Sequence, residues 1–281
     1  MRLHFLAAAL SACFAAAAQA SESPDAREAF VERRGLIETD ARCHLLAPDI
    51  RAALSVGALQ ARGALLRAGW TGAQLRALEQ SVAQAAAARA CNDARTLQSA
   101  ADARSAFAPW LARGYMEFPG WERAWLARRG AREGWRLSQA IDAPRAAVFG
   151  VRQTGAQQRL VLILALDRNE TAPRSVQMAL RDPARAPARD IALPQRVAYG
   201  IEAGAPPPGA TATIPSARAI ERLDGGRSQA VFSFPDTAFA AMLQLDPRES
   251  VELHLHSGRA VERLYVEVGD IAAARAFLAL R

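Results

Sequence analysis

The sequence contains no lysine; all 35 of its basic side chains are arginine. Set against 28 acidic residues, this leaves a formal net charge of +7, spread along the chain rather than gathered in a block. A dispersed charge excludes the basic tail or stripe that marks a nucleic-acid binder. The Lys-free, Ala-rich composition reads first as codon bias. The arginine fork nevertheless suits carboxylates and phosphates, so an acidic ligand stays open. Cysteine is scarce, at three residues, and no Cys-x-x-Cys occurs. That excludes a zinc ribbon or a thioredoxin-type redox motif. There is no Gly-x-Ser-x-Gly elbow, no His-Glu-x-x-His, no phosphate loop and no dinucleotide fingerprint. No cofactor is therefore expected. Beyond the N-terminus no apolar run approaches the ~18 residues of a membrane span, so the mature chain is expected to carry none.

The N-terminus does carry an apolar run. Arg2 precedes Leu6–Ala18, Ala18-Gln19-Ala20 forms a small-x-small cleavage site, and polar Ser21-Glu22-Ser23 follows. This pattern predicts a signal peptide over residues 1–20 and a periplasmic or secreted protein. Leu10-Ser11-Ala12-Cys13 offers an alternative, a lipobox that would anchor the chain through Cys13. Cleavage after Ala20 leaves Cys43 and Cys91, an even count that in an exported chain predicts a disulfide. Its loop of about 49 residues is worth roughly 4 kcal/mol by loop entropy.

Residues 21–113 read as a helical domain. Apolar residues recur every three or four positions through Phe30, Ile37 and Leu45, then Ile50, Leu54 and Leu65, then Leu75, Leu78 and Val82, then Leu97 and Phe107. Pro24 and Pro48 sit at helix starts, Thr71 and Gln74 form a capping box, and Asn92-Asp93 caps the fourth helix. Short connections predict an antiparallel bundle, with the first and third helices ending at one pole. Cys43 and Cys91 fall at those two ends. Asp40 and His44 share a helix face, but no second pair of ligands accompanies them.

Residues 135–281 read as β. Alternating runs cover Trp135–Ile141, Ala146–Arg152, Ser175–Leu180, Gln229–Phe234, Val251–His256 and Arg259–Val268. Leu160–Leu166 is apolar on both faces, as a central strand is. Ile191–Leu193 and Arg196–Ile201 are read as two further strands. Short helices are predicted after Pro235 and over Ile271–Leu280. Eight to ten strands with regular turns predict an antiparallel β-sandwich or partly open barrel with two short covering helices, an α+β chain overall.

Between the halves lies a Trp/Arg-rich junction, 114–134, within the run Phe107–Trp135 that holds four of the five tryptophans. Trp121 and Trp125 are four apart, a helical spacing. With Arg128 and Arg129 they form a candidate ligand cleft. The competing reading is a packed wedge with tryptophans inside and arginines reaching out. A second candidate lies on one strand face, where His254, His256 and Glu252 alternate and match a metal-ligand set.

The order of strand, short helix and hairpin, ending in Tyr265-Val-Glu-Val-Gly-Asp270 and Ala274-Arg-Ala-Phe-Leu-Ala-Leu280, resembles the end of secreted invasion-associated locus B type β-sandwich proteins. The resemblance spans at most the last 145 residues. It implies an envelope binding protein without catalysis and supplies no site residues. The leading expectation is a non-catalytic binding or structural envelope module whose partner is an envelope protein or an acidic ligand. The alternatives are a cell-envelope hydrolase or metal-dependent enzyme using the His254/His256 region, and a lipid-anchored envelope protein. Nucleic acid is excluded by export.

Overall fold

The computed structural model describes residues 24–130, 132–142, 144–167, 170–223 and 228–281. The expected signal segment, with Cys13 and Ala20, and the Asp224-Gly225-Gly226 turn lie outside them. Four helices come first: α1 (Pro24–Cys43), α2 (Pro48–Arg67), α3 (Gly72–Ala87) and α4 (Ala94–Ala112). Their ends are set by local chemistry. The Thr71–Gln74 capping box is formed in full, and the Asp93 carboxylate accepts the Thr96 N–H. Asp40 is fully buried and ties the α1–α2 connection by accepting the Leu46 N–H at 2.7 Å and pairing with Arg51. Among the described residues its carboxylate makes no pair with the His44 side chain.

α2 is the central helix, buried around most of its circumference. α1 packs along it and against α3, and α4 packs on α2 and touches α1 more lightly. Two glycines permit this crowding. A Cβ at Gly57 would lie 2.8 Å from the Phe107 ring of α4, and one at Gly63 would overlap the Asp270 carboxylate. Each glycine costs a helix about 1 kcal/mol relative to alanine, offset here by close packing. Cys43 and Cys91 are joined, with Cα atoms 5.5 Å apart, across a sequence separation of 48.

Eleven strands follow among the described residues. A seven-stranded sheet runs in the order β1 (Tyr115–Pro119), β2 (Ala124–Arg128), β3 (Gly134–Ile141), β4 (Ala147–Thr154), β5 (Gln157–Leu166), β9 (Ser228–Phe234), β8 (Ala217–Arg222). A four-stranded sheet runs β11 (Ala260–Glu267), β10 (Ser250–Ser257), β6 (Ser175–Arg181), β7 (Thr211–Pro215). Every pairing is antiparallel. The sheets face each other as a sandwich and do not close into a barrel. β7 and β8 are one extended run that bends at Pro215–Ser216 and passes from the small sheet to the large one.

Two sequence expectations change. The junction is not helical: residues 115–128 form the β1–β2 hairpin at the edge of the large sheet, which raises the strand count. Ile191–Leu193 and Arg196–Ile201 are not strands. Pro194 starts a short helix, α5 (Leu193–Tyr199), and a 3-10 turn over Gly200–Gly204 follows, entered through Gly200 at φ +55°. A proline near the start of an alternating run favours a first helical turn over a strand. The two late helices form as expected. α6 (Asp236–Met242) lies on β5, and α7 (Ile271–Leu278) covers β1 to β3, with Phe277 5.7 Å from Phe118.

One continuous core joins the halves, running from Leu36, Leu54 and Phe107 of the helices to Phe118, Trp125, Phe149 and Phe232 of the sandwich. Trp125 is 0% exposed. Burying a Trp side chain of that kind removes ~200 Å² from water, worth up to about 5 kcal/mol.

Candidate functional site

The β1–β2 turn decides the fate of the Trp/Arg junction. Glu267, fully buried at the end of β11, turns its carboxylate to that turn. It accepts the backbone N–H groups of Trp121, Glu122 and Arg123 at 3.1, 3.0 and 2.8 Å, and Arg196 at 2.6 Å. The Arg196 guanidinium also lies 5.6 Å over the Trp121 ring. Burial pulls the Arg196 pKa down, while Glu267 opposes the shift. On the strand, Trp125 points into the sandwich and its Nε1 donates to the carbonyls of Glu267 and Val268. Arg129 binds the Leu111 and Leu280 carbonyls at 2.8 and 2.9 Å, and Arg128 is exposed at the end of β2.

Trp121, Trp125, Arg128 and Arg129 therefore line no common cleft. Trp125 is a packed core ring, Trp121 is half-buried beneath Arg196, Arg129 is held by the Leu111 and Leu280 carbonyls, and Arg128 points to solvent. The gap bounded by Leu66, Trp121, Ile191 and Arg196 amounts to about 10 Å³, room for no more than about one water molecule and far below the ~300 Å³ of a small-molecule site. Trp125 is packed as a wedge would have it, while Trp121 stays half-buried and Arg129 turns to backbone carbonyls.

Further ion pairs extend the wedge. Arg67 of α2 grips Asp270, which precedes α7, at 2.6 and 3.1 Å, and donates to the Pro119 carbonyl. Burial raises the Asp270 pKa to about 6, against the pull of Arg67. Arg248 donates to the Trp70 carbonyl and to Asp190, whose carboxylate also accepts the Gly72 N–H. That N–H, then Arg248, holds Asp190 below the usual carboxylate range. Arg181 and Glu249 form another pair, each almost fully buried. The Arg67, Arg248 and Asp190 contacts fasten the α2–α3 corner to the sandwich, whereas Arg181–Glu249 lies within the β half.

The second candidate lies on the outer face of the small sheet. Glu252 and His254 meet, with His254 Nε2 2.6 Å from a Glu252 oxygen. His256 does not join them: its Nε2 is buried and has no hydrogen-bond partner among the described residues. No group of three potential ligands gathers among the described residues. Strand neighbours two apart stand about 7 Å from each other, and His254 is turned toward Glu252 rather than toward His256.

The helical half holds the space that the junction lacks. Because α4 leans on α2, a groove of about 810 Å³ opens between α1 and α4, closed at one end by the α3–α4 loop. Its floor is apolar: Leu36, Leu54, Ala103 and Phe107. Arg33 crosses it, stacked 5.6 Å over the Phe107 ring and bonded to the Gly57 carbonyl at 2.8 Å. Burial lowers the Arg33 pKa, opposed by Glu32. On the rim, Asp93 caps α4 and Asp102 accepts from Gln98 at 2.8 Å. Arg89 and Arg95 are exposed and make no ion pair among the described residues. The disulfide sets this end of the groove. Cys91 anchors the loop, and Arg42 bonds to the Ala86 and Arg89 carbonyls.

In the sequence these groove residues read as ordinary helix stripe. The one local signal was Gly57 inside an apolar helix, a mark of close approach. Comparison with known proteins returns no matching family model, no similar curated protein and no similar solved structure. Fold and site together define an α+β protein with a helical layer, carrying the groove, packed on a β-sandwich.

Proposed function

We propose that this chain is an exported, non-catalytic binding module of the cell envelope, and that the α1–α4 groove takes a small amphiphile with an anionic head. The groove carries the reading. Its volume of about 810 Å³ falls within the ~300–1,000 Å³ of small-molecule sites, which combine apolar walls with a few polar groups. Leu36, Leu54, Ala103 and Phe107 would receive the apolar body. Arg89 and Arg95, whose charges no carboxylate of the described residues answers, would receive the head.

Export rests on the Leu6–Ala18 run with its Ala18-Gln19-Ala20 site, supported by the Cys43–Cys91 bond, since disulfides persist in oxidising compartments. Intact mass of the purified mature protein separates cleavage after Ala20 from lipidation at Cys13. The resemblance of the C-terminal half to invasion-associated locus B type proteins points the same way.

Titration calorimetry with dodecanoate tests the groove. The expected result is saturable binding, a loss of about tenfold in Arg89→Gln/Arg95→Gln, and weaker binding of the uncharged methyl ester. Absence of binding, or equal binding by the double variant, would overturn it.

A further inference from the structure

The large sheet ends on β8, and this edge is open. Its residues are exposed at five of six positions, and β8 pairs only with β9. Such an edge presents unpaired N–H and C=O groups and templates a further strand unless the protein guards it. The edge of the small sheet at β11 is covered at its end, where the Gln139 and Trp125 side chains take the backbone groups of Glu267. β8 shows no such cover among the described residues.

The register puts Arg218, Ile220 and Arg222 on one face, beside Phe232, Ala230 and Ser228 of β9. Ile220 is 47% exposed, and neither arginine forms an ion pair among the described residues. Glu221, on the opposite face, is already engaged by Arg152 and Gln229. The edge therefore offers a basic–apolar–basic series. Beside the start of β8, an open trough of about 880 Å³ continues the path between Pro215, Ser216, Phe234, Pro235 and Arg159.

These charges discriminate between occupants. A second copy pairing symmetrically about Ile220 would set Arg218 against Arg222, and like charges directly opposite each other are destabilising. An acidic strand meets the same two positions with attraction. We infer that β8 and the adjoining trough bind an extended segment of a partner protein by strand addition. That segment carries acidic residues four apart with an apolar residue between them. Backbone bonds along β8 would supply affinity, and the alternating side chains specificity.

The test uses a fluorescein-labelled decapeptide that alternates threonine with a Glu–Val–Glu series, followed by anisotropy on the full chain. A Lys–Val–Lys peptide is the control. The expected result is saturable binding of the acidic peptide that weakens with salt. Arg218→Glu/Arg222→Glu should weaken it at least tenfold and gain the Lys–Val–Lys peptide instead. N-methylation of alternate peptide amides should abolish binding. Two results would overturn the inference: equal binding of the two peptides, or acidic-peptide binding indifferent to the charge swap. Sedimentation showing a dimer broken by the same swap would also overturn it, because the occupant would then be a second copy. Neither arginine of the swap lines the α1–α4 groove, so dodecanoate binding should not change.

Discussion

Asp270 gives the sharpest quantitative handle on how the two halves hold together. Its carboxylate sits between α2 and α7, almost wholly buried, with Arg67 as its ion-pair partner. Burial outweighs that partner and raises its pKa from 3.8 to about 6. The folded protein thus binds this proton more tightly than the unfolded chain does. The stabilisation is fully present below about pH 4, the unfolded value, and is lost as pH rises through about 6. A shift of roughly two units corresponds to about 3 kcal/mol. Asp270→Asn keeps the shape and removes the titration. Urea unfolding of both proteins should be measured at intervals from pH 3.5 to 7.5. The stability of the native chain relative to Asp270→Asn should rise by about 3 kcal/mol as pH falls across that window. Arg67→Met removes the opposing cation, so the transition should move to higher pH. A flat difference, or one that grows with rising pH as for an ordinary paired carboxylate, would refute the claim that burial dominates here.

Two further outcomes follow from the same interior. Glu267→Gln leaves Arg196 buried without its anion and turns an amide against backbone N–H groups; it should cost about 3–5 kcal/mol in urea unfolding. Adding Arg196→Met should recover part of that, whereas a loss under ~1 kcal/mol would mean the pair behaves as a surface one. Replacing both Cys43 and Cys91 by serine should lower stability by about 4 kcal/mol. Two thiols open to alkylation in the non-reduced protein would contradict the bond.

Features set by neighbouring residues were legible in the sequence. The Thr71–Gln74 box, the Asp93 cap, the strand alternations after Trp135 and the helix after Asp270 all follow from local patterns. The Cys43–Cys91 pair was legible because two short-range arguments, helix ends and cysteine count, met at the same residues. The junction misled because a spacing of four between Trp121 and Trp125 fits a helix as well as strand–turn–strand. Pro119-Gly120 was the signal for the turn, and Glu267, 144 to 146 positions away, is what holds it. No sequence pattern links Arg67 to Asp270 across a separation of 203. The groove was hidden for a related reason. It arises from where α4 packs on α2, and that depends on Gly57 admitting Phe107. The His254–Glu252 contact followed from strand alternation, but the side-chain turn that leaves His256 apart did not.

We propose that the helical layer, rather than the Trp-rich junction, holds the ligand. Amide hydrogen exchange with and without saturating dodecanoate distinguishes the two. Protection should appear in α1 around Arg33–Leu36, in the 88–95 loop and in α4 around Ala103–Phe107, and leave the β1–β2 turn unchanged. Protection confined to Trp121–Arg129, or none anywhere, would contradict it.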